Sequence, residues 1–231
     1  MPEDPIKCAI NGAYAFCEQK QAALDNGLIS EEQWFEHHMW HFTELYLASP
    51  NPRGQSGHGG DERRYRYAQE MILAAVDGNG TFIDIGCANG LLMERLAAWS
   101  LEKGLHLDFY GLDISEELLN LAKTRLPQWR DRFYLGNALY WTPPQKYRYV
   151  CVKELDYVPK GRQKEFFRHL LGMYVAKDGR LILGPWTERK NEPGIAQEIL
   201  KWGYPPTGFS CKPHQDRVEL ERRLYWYEVP T

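Results

Sequence analysis

The chain has no apolar run approaching the ~20 residues a membrane-spanning helix requires. Its first residues, Met1-Pro2-Glu3-Asp4-Pro5, are acidic and lack the basic stretch and apolar run of a secretory leader, so the expectation is a cytoplasmic protein with no membrane partner. Paired cysteine spacing is also missing. The cysteines at 8, 17, 87, 151 and 211 are odd in number and no two form CxxC, which argues against a disulfide framework and a structural zinc site and suits a reducing compartment. No basic excess exists either: the formal net charge is -3 and the pI about 6.2, which weighs against a dedicated nucleic-acid partner. Internal repeats and low-complexity tracts are absent. What is there is 231 residues, 43% hydrophobic and 26% charged, a length and balance for one domain or one domain with a cap.

The chain changes character near residue 60. Residues 1–48 predict two helices. Ile6, Ile10, Tyr14 and Cys17 recur at helical spacing in the first, which Gly27 ends. The second starts at Ser30, with Gln33 three residues on as in a capping box, and Phe35, Met39, Phe42 and Tyr46 form its stripe. Residues 49–60 hold two prolines and four glycines and predict a loop. Asp61 caps a third helix with Ala68, Met71, Ile72 and Ala75 on one face.

After Gly80 strand and helix patterns alternate. Strands are expected at Phe82–Ile85, Leu107–Leu112, Phe133–Leu135, Tyr149–Val152 and Leu181–Leu183, and helices at Leu91–Trp99, Glu116–Arg125 and Gln163–Val175. Such alternation implies a parallel sheet covered by helices. Phe209–Lys212 and Leu220–Val229 read as two strands with no helix between them, an antiparallel pair at the sheet edge.

The strongest chemical signal is Asp84-Ile85-Gly86-Cys87-Ala88-Asn89-Gly90-Leu91, a strand end, a tight turn and a helix start. A cofactor lying across strand ends must approach the backbone closely, which small residues permit. A dinucleotide site wants G-x-G-x-x-G. Here Gly86, Ala88 and Gly90 alternate, and Asp84 stands two residues before the first glycine. A carboxylate there repels pyrophosphate and attracts a cation.

This segment resembles the D-x-G-x-G-x-G turn of class I S-adenosylmethionine-dependent methyltransferases, with Ala88 in place of the middle glycine. The resemblance covers residues 62–229. It implies an α/β fold, a Rossmann-like seven-stranded mostly parallel sheet with an antiparallel last strand, here preceded by an N-terminal helical cap. It implies S-adenosyl-L-methionine as cofactor, held at Asp84, Gly86, Cys87, Ala88, Asn89, Gly90 and Leu91. Asp113, ending the next strand, would accept from both ribose hydroxyls, with Ile114 beside it; read alone, Asp113 could cap the helix starting near Glu116, though Ser115 is better placed for that. Asn137 and Ala138 stand where the family often places an acid and a small residue against adenine, and an amide oxygen can still accept from an exocyclic amine. Glu154 follows the fourth strand, where the family passes the methyl and lines the substrate site. No Asn-Pro-Pro-Tyr-like segment is present.

In such enzymes helices before the cofactor domain close over the acceptor, which divides this chain into a cap at 1–60 and a cofactor domain at 61–231. Trp34, His37, His41 and Glu44 share a helical face, the spacing of an aromatic acceptor pocket and equally of an ordinary packed interface. His37 and His41 find no third residue at metal-ligand spacing, so no metal is expected. His58, in the glycine-rich loop, is the first candidate for a base if the acceptor is a phenol or alcohol, followed by His41 and His37. Tyr157 is placed to orient the acceptor, and Glu154 or Asp156 to bind an amine. Either Arg63 or Arg64 could meet the cofactor carboxylate, or both could be solvated. The expected activity is methyl transfer to oxygen or nitrogen of a small molecule. An RNA or protein methyltransferase, favoured by a basic face at Arg63, Arg64, Arg66 and Lys123, and a non-catalytic binding module on the same fold are the alternatives.

Overall fold

A computed structural model describes residues 5–229, with side chains from residue 12 onward. Helix α1 spans Pro5–Asp25, and the expected contributions of Ile6 and Ile10 lie outside the described side chains. Helix α2 spans Glu31–Leu47 and begins as its sequence requires: Ser30 Oγ accepts from Gln33 N at 3.1 Å, and Gln33 Oε1 accepts from Ser30 N at 2.8 Å. The buried face of α2 differs from the expected stripe. It carries Trp34, Phe35, His38 and Thr43, while Met39, Phe42 and Tyr46 are half-buried.

Helix α3 covers Glu62–Gln69, and Asp61 caps it by accepting from Arg64 N at 2.8 Å. The chain then tightens into a 3-10 turn over Glu70–Ala75. Ala68, Met71, Ile72 and Ala75 are all buried, but this change of pitch brings Leu73 in with them.

Among the described residues seven strands form one sheet: β1 Gly80–Ile85, β2 Leu107–Asp113, β3 Phe133–Leu135, β4 Tyr147–Val152, β5 Val175–Arg189, β6 Gly208–Pro213 and β7 Leu220–Glu228. Their order is β3-β2-β1-β4-β5-β7-β6. The first five pair in parallel, and β7 runs antiparallel to both β5 and β6. The reversed strand therefore lies between β5 and the edge strand β6.

Helices α4 Leu91–Glu102, α5 Glu116–Arg125 and α6 Gln163–His169 link these strands. The helix expected over 163–175 is shorter because a π-helical turn, Leu170–Tyr174, feeds straight into β5. That strand is far longer than Leu181–Leu183, because its last residues, Trp186 to Arg189, pair with Arg223 to Leu220. An unforeseen helix α7, Ile195–Lys201, follows the Pro193-Gly194 turn; Ile199 is its one fully buried side chain.

Alternation along the strands divides the core into two layers. Phe82, Phe109, Tyr149, Cys151 and Ile182 pack against α4, α5 and the 70–75 turn. Ile83, Ile85, Leu112, Val150, Val152, Leu181 and Leu183 pack against α6, α7 and, from the N-terminal helices, Trp34 and Phe35. Each fully buried side chain of this size contributes about 1.5–3 kcal/mol. The strand order reverses between β1 and β4, which opens a crevice at their carboxyl ends.

Candidate functional site

The turn after β1 is anchored through its own backbone. Gly86 N and Cys87 N both donate to Leu112 O at the end of β2, at 2.8 and 3.1 Å. Gly86 sits at φ 76, and a Cβ there would stand 2.6 Å from the Tyr157 ring, so both conformation and contact require glycine. Ala88 adopts φ 46, an uncommon conformation for a residue with a side chain. Asn89 is fully buried: its Oδ1 accepts from Leu91 N at 3.1 Å, and its Nδ2 donates to Pro52 O at 2.9 Å. Arg125 donates to Asn89 O at 2.8 Å and pairs with Glu94 at 2.7 Å, tying α5 to the same turn.

The two strand-end carboxyls differ in their partners. Asp113 Oδ2 accepts from Ala88 N at 2.8 Å and Oδ1 from Ser115 N at 2.9 Å. Each oxygen keeps further lone-pair capacity. Burial raises its pKa, opposed by those amides. Helix α5 is capped by Ser115, whose Oγ accepts from Leu118 N at 3.3 Å, so Asp113 is not the cap. Asp84 is 5% exposed and, among the described residues, has no hydrogen-bond partner. Burial first, and the Asp113 carboxylate second, push its pKa up to about 8.

Asp84 faces a small cavity of about 40 Å³, lined also by Ser56, His58, Tyr65, Gln69 and Tyr157. Tyr65 is buried, and among the described residues its hydroxyl finds no partner. The His58 ring stands edge-on to Tyr65 with centroids 5.0 Å apart. Burial, then Lys153 and Arg222, hold the His58 imidazole neutral. The loop carrying His58 is ordered by its own hydrogen bonds: Arg53 O accepts from His58 N at 2.9 Å, and Arg53 Nε donates to Gly60 O at 3.0 Å. Its glycines serve close approach; a Cβ on Gly57 would meet the Tyr46 hydroxyl at 2.4 Å.

A larger open cleft, about 540 Å³, is lined by Ile114, Asn137 and Tyr140 and by Glu32, Phe35, Glu36 and Met39 of α2. Asn137 Oδ1 accepts from Leu139 N at 3.0 Å, so one lone pair of the expected acceptor is already used. Ala138 O accepts from the Tyr174 hydroxyl at 3.0 Å.

The structure thus brings together Asp84, Gly86, Cys87, Ala88 and, from the candidate catalytic set, His58 and Tyr157 around one cavity. Ile114 and Asn137 line the cleft beside it, while Asp113 bridges to Ala88. Gly90 and Leu91 open α4. Glu154 lies just past β4 and pairs with Lys153 at 3.4 Å. His37 and His41 line neither cavity: His41 stacks on Phe16 of α1, centroids 3.9 Å apart. Glu44 is exposed and Trp34 stacks on His38, so of the two readings of the Trp34–His37–His41–Glu44 face the packed interface, not an acceptor pocket, describes it. Arg64 pairs with Asp216 at 2.9 Å and Arg66 with Glu70 at 3.1 Å, which neutralises much of the suspected basic face. Sequence reasoning did not single out Ser56, Tyr65 or Gln69. Polar residues four apart on the otherwise apolar face of α3 were the available signal for Tyr65 and Gln69.

Among the described residues no helix is long and apolar enough to cross a membrane, and no group of three His, Cys, Asp or Glu side chains is placed to hold a metal. Residues 82–175 match a family model described as a methyltransferase domain. No curated protein matches the sequence. Among solved structures, the 1,6-didemethyltoxoflavin-N1-methyltransferase of Burkholderia thailandensis, with bound 1,6-didemethyltoxoflavin and S-adenosylhomocysteine, aligns at TM-score 0.62 and 11% identity, over 88% of this chain and 92% of its own. An S-adenosylmethionine-dependent methyltransferase from Thiobacillus denitrificans, in complex with S-adenosylhomocysteine, aligns at 0.51 and 11%, over 83% and 98%. The [4+2]-cyclase SpnF aligns at 0.52 and 12%, over 71% and 80%. At such identities the likeness is one of fold.

Proposed function

We propose, from the match of residues 82–175 to a methyltransferase domain, that this protein is a class I S-adenosylmethionine-dependent enzyme that moves a methyl group to oxygen or nitrogen of a small-molecule acceptor. The observation that carries the reading is Asp84: a buried carboxyl without a partner, facing a cavity at the reversal point of a parallel sheet. A cationic ligand end is the natural partner for it.

The residues present fit the cofactor. Asp84 would hold its ammonium group, and Tyr65, with its unpartnered hydroxyl, and Ser56 its carboxylate. Asp113 would take the ribose, and Ile114 and Asn137 the adenine. When bound, the cofactor supplies a methyl already activated by a positive sulfur. The protein's part is then alignment and exclusion of water. The Gly86 turn and Tyr157 fix one side of the reacting region, and the loop at 49–60 covers it. His58, held neutral, presents a ring nitrogen able to accept a hydrogen bond or proton from an acceptor hydroxyl. Lys153 and Arg222 disfavour a second positive charge there, so orientation of the acceptor is its larger role. The abundant aromatic side chains favour a small apolar or planar acceptor.

Thermal unfolding with and without S-adenosylhomocysteine tests the reading, with NAD as control. Ligand at about 100 times its Kd adds about 2.7 kcal/mol, a midpoint rise of about 5–11 °C for a chain of this size. A rise with NAD alone overturns the proposal. A second reading, a role on this fold without methyl transfer, draws on the likeness to a cyclase. It predicts the same thermal rise with no methyl consumed in the presence of any acceptor.

A further inference from the structure

The antiparallel course of β7 places its first residues level with the last residues of β5, at the carboxyl edge of the sheet where the candidate site opens. There Thr187 pairs with Arg222, and Lys212 of β6 pairs with Arg222 from the other side. Two cations face each other directly across neighbouring strands, an arrangement that destabilises a sheet unless an anion joins them. Arg64 of α3 approaches the same face and acts on Arg222, and among the described residues Asp216, at 2.9 Å, is its one ion-pair partner. Lys212 lies over the Tyr67 ring at 5.1 Å and reaches Tyr67 O at 3.5 Å. Asp216 also acts on Arg222, from beyond ion-pair distance, and Glu70, which acts on Lys212, is engaged by Arg66 at 3.1 Å and Lys103 at 3.7 Å.

Arg222 itself is half-buried and, among the described residues, makes no ion pair. Its Nη1 reaches the Thr187 hydroxyl at 3.4 Å, and its Nε is buried without any partner. A guanidinium has five donors in a fixed fork suited to a carboxylate or phosphate, and leaving a buried one unmet is costly. The positive field reaches the cavity, since Arg222 and Lys153 are the charges that act on His58.

We propose that Arg222, flanked by Arg64 and Lys212, binds an oxyanion carried by the methyl acceptor, a carboxylate or a phosphate monoester. The inference rests on the methyl-transfer reading and narrows it: the acceptor is an acid whose charged end lies over β5 and β7 while its reacting atom lies toward His58 and Tyr157.

The test titrates inorganic phosphate and, separately, benzoate into the protein saturated with S-adenosylhomocysteine, with sodium chloride at matched ionic strength, and follows the unfolding midpoint. At ten times its Kd an anion is expected to raise the midpoint by about 3 °C. Arg222→Gln and Arg64→Gln are expected to remove or halve that rise, and Arg222→Lys to keep part of it. Benzoate alone raising the midpoint assigns a carboxylate, phosphate alone a phosphate. No rise beyond chloride, or a full rise in Arg222→Gln, overturns the proposal. So does a roughly tenfold loss of S-adenosylhomocysteine affinity in Arg222→Gln with 5′-methylthioadenosine unaffected, because the anion would then be the cofactor's own carboxylate. A wild-type protein that binds no S-adenosylhomocysteine overturns the methyl-transfer reading itself, whatever the anions do.

Discussion

Asp84 ends its strand with a carboxyl that neither amide nor cation meets, and that isolation fixes its behaviour. An unfolded chain ionises this group near its ordinary 3.8, whereas burial keeps it protonated up to about 8 in the folded chain. The folded protein therefore holds an extra proton between those values. The resulting contribution to stability is complete below about pH 4 and is lost as pH rises through about 8. Asp84→Asn is expected to flatten this fall and to raise the unfolding midpoint at pH 8 by about 3–8 °C, while weakening S-adenosylhomocysteine at least about tenfold. Unfolding curves from pH 5 to 9 and calorimetric titration check both. Unchanged affinity in the variant would remove Asp84 from the cofactor site. The aspartate was legible in the sequence from its distance to Gly86; its protonation was not, because that depends first on burial by the folded chain and second on Asp113, 29 positions later.

The glycine turn and the loop at 49–60 work as one unit, joined by the Asn89 side chain. Its carboxamide serves Leu91 N on one side and Pro52 O on the other. Asn89→Ala leaves both groups unmet and is expected to cost about 1–3 kcal/mol, read from denaturant midpoints. It is also expected to loosen the loop, so that proteolysis after Arg53 becomes faster in the variant; equal rates would show that other contacts hold the loop. The cavity under this loop is about 40 Å³, room for about one water molecule, so the loop must shift to admit a ligand's end.

Helix α2 carries a second pH dependence. His38 Nδ1 donates to Trp34 O, 2.8 Å away; the ring stacks on the Trp34 ring and is held neutral, with its pKa lowered to about 4 chiefly by burial. An unfolded chain protonates it near 6.5, so the stability it provides is complete above that value and is lost as pH falls through about 4. His38→Leu is expected to shrink the drop in unfolding midpoint between pH 6.5 and 4. An identical acid profile would place the sensitivity elsewhere. Sequence spacing pointed to His37 and His41 on this helix, yet His38 is the histidine that the core takes in. The offset arises because Trp34 and Phe35, adjacent in sequence, both turn inward and rotate the buried face by one position.

At the scale of the molecule, the N-terminal helices are part of the main core as well as a cover. Trp34 and Phe35 belong to the same apolar layer as Ile85, Leu155 and Phe166. Arg162 pairs with Glu31 at 3.1 Å, and Lys160 N donates to Gln21 Oε1 at 3.1 Å, so α1 and α2 are both tied to the segment after β4. A chain beginning at residue 61 exposes that layer, and burial of Trp34 and Phe35 alone is worth about 3–6 kcal/mol. The truncated form is expected to unfold at least about 10 °C below the full chain, or to aggregate. An unchanged midpoint would show the boundary near 60 to be a true domain boundary.

The sequence by itself determined the alternation of strands and helices after Gly80, the capping of α2, α3 and α5, the reversed final strand and the turn from Asp84 to Leu91. Each rests on local rules: periodicity, a side chain reaching its own backbone, and a small residue where the chain bends tightly. Tertiary structure alone decided the rest. It inserted β7 between β5 and β6, extended β5 to meet it, and so set Arg222 beside Thr187 and Lys212. It brought Tyr65 and His58 over Asp84, and chose His38 over its neighbours. These are relations between residues distant in the chain, set by which apolar faces pack together, and a linear pattern carries no information on such distances.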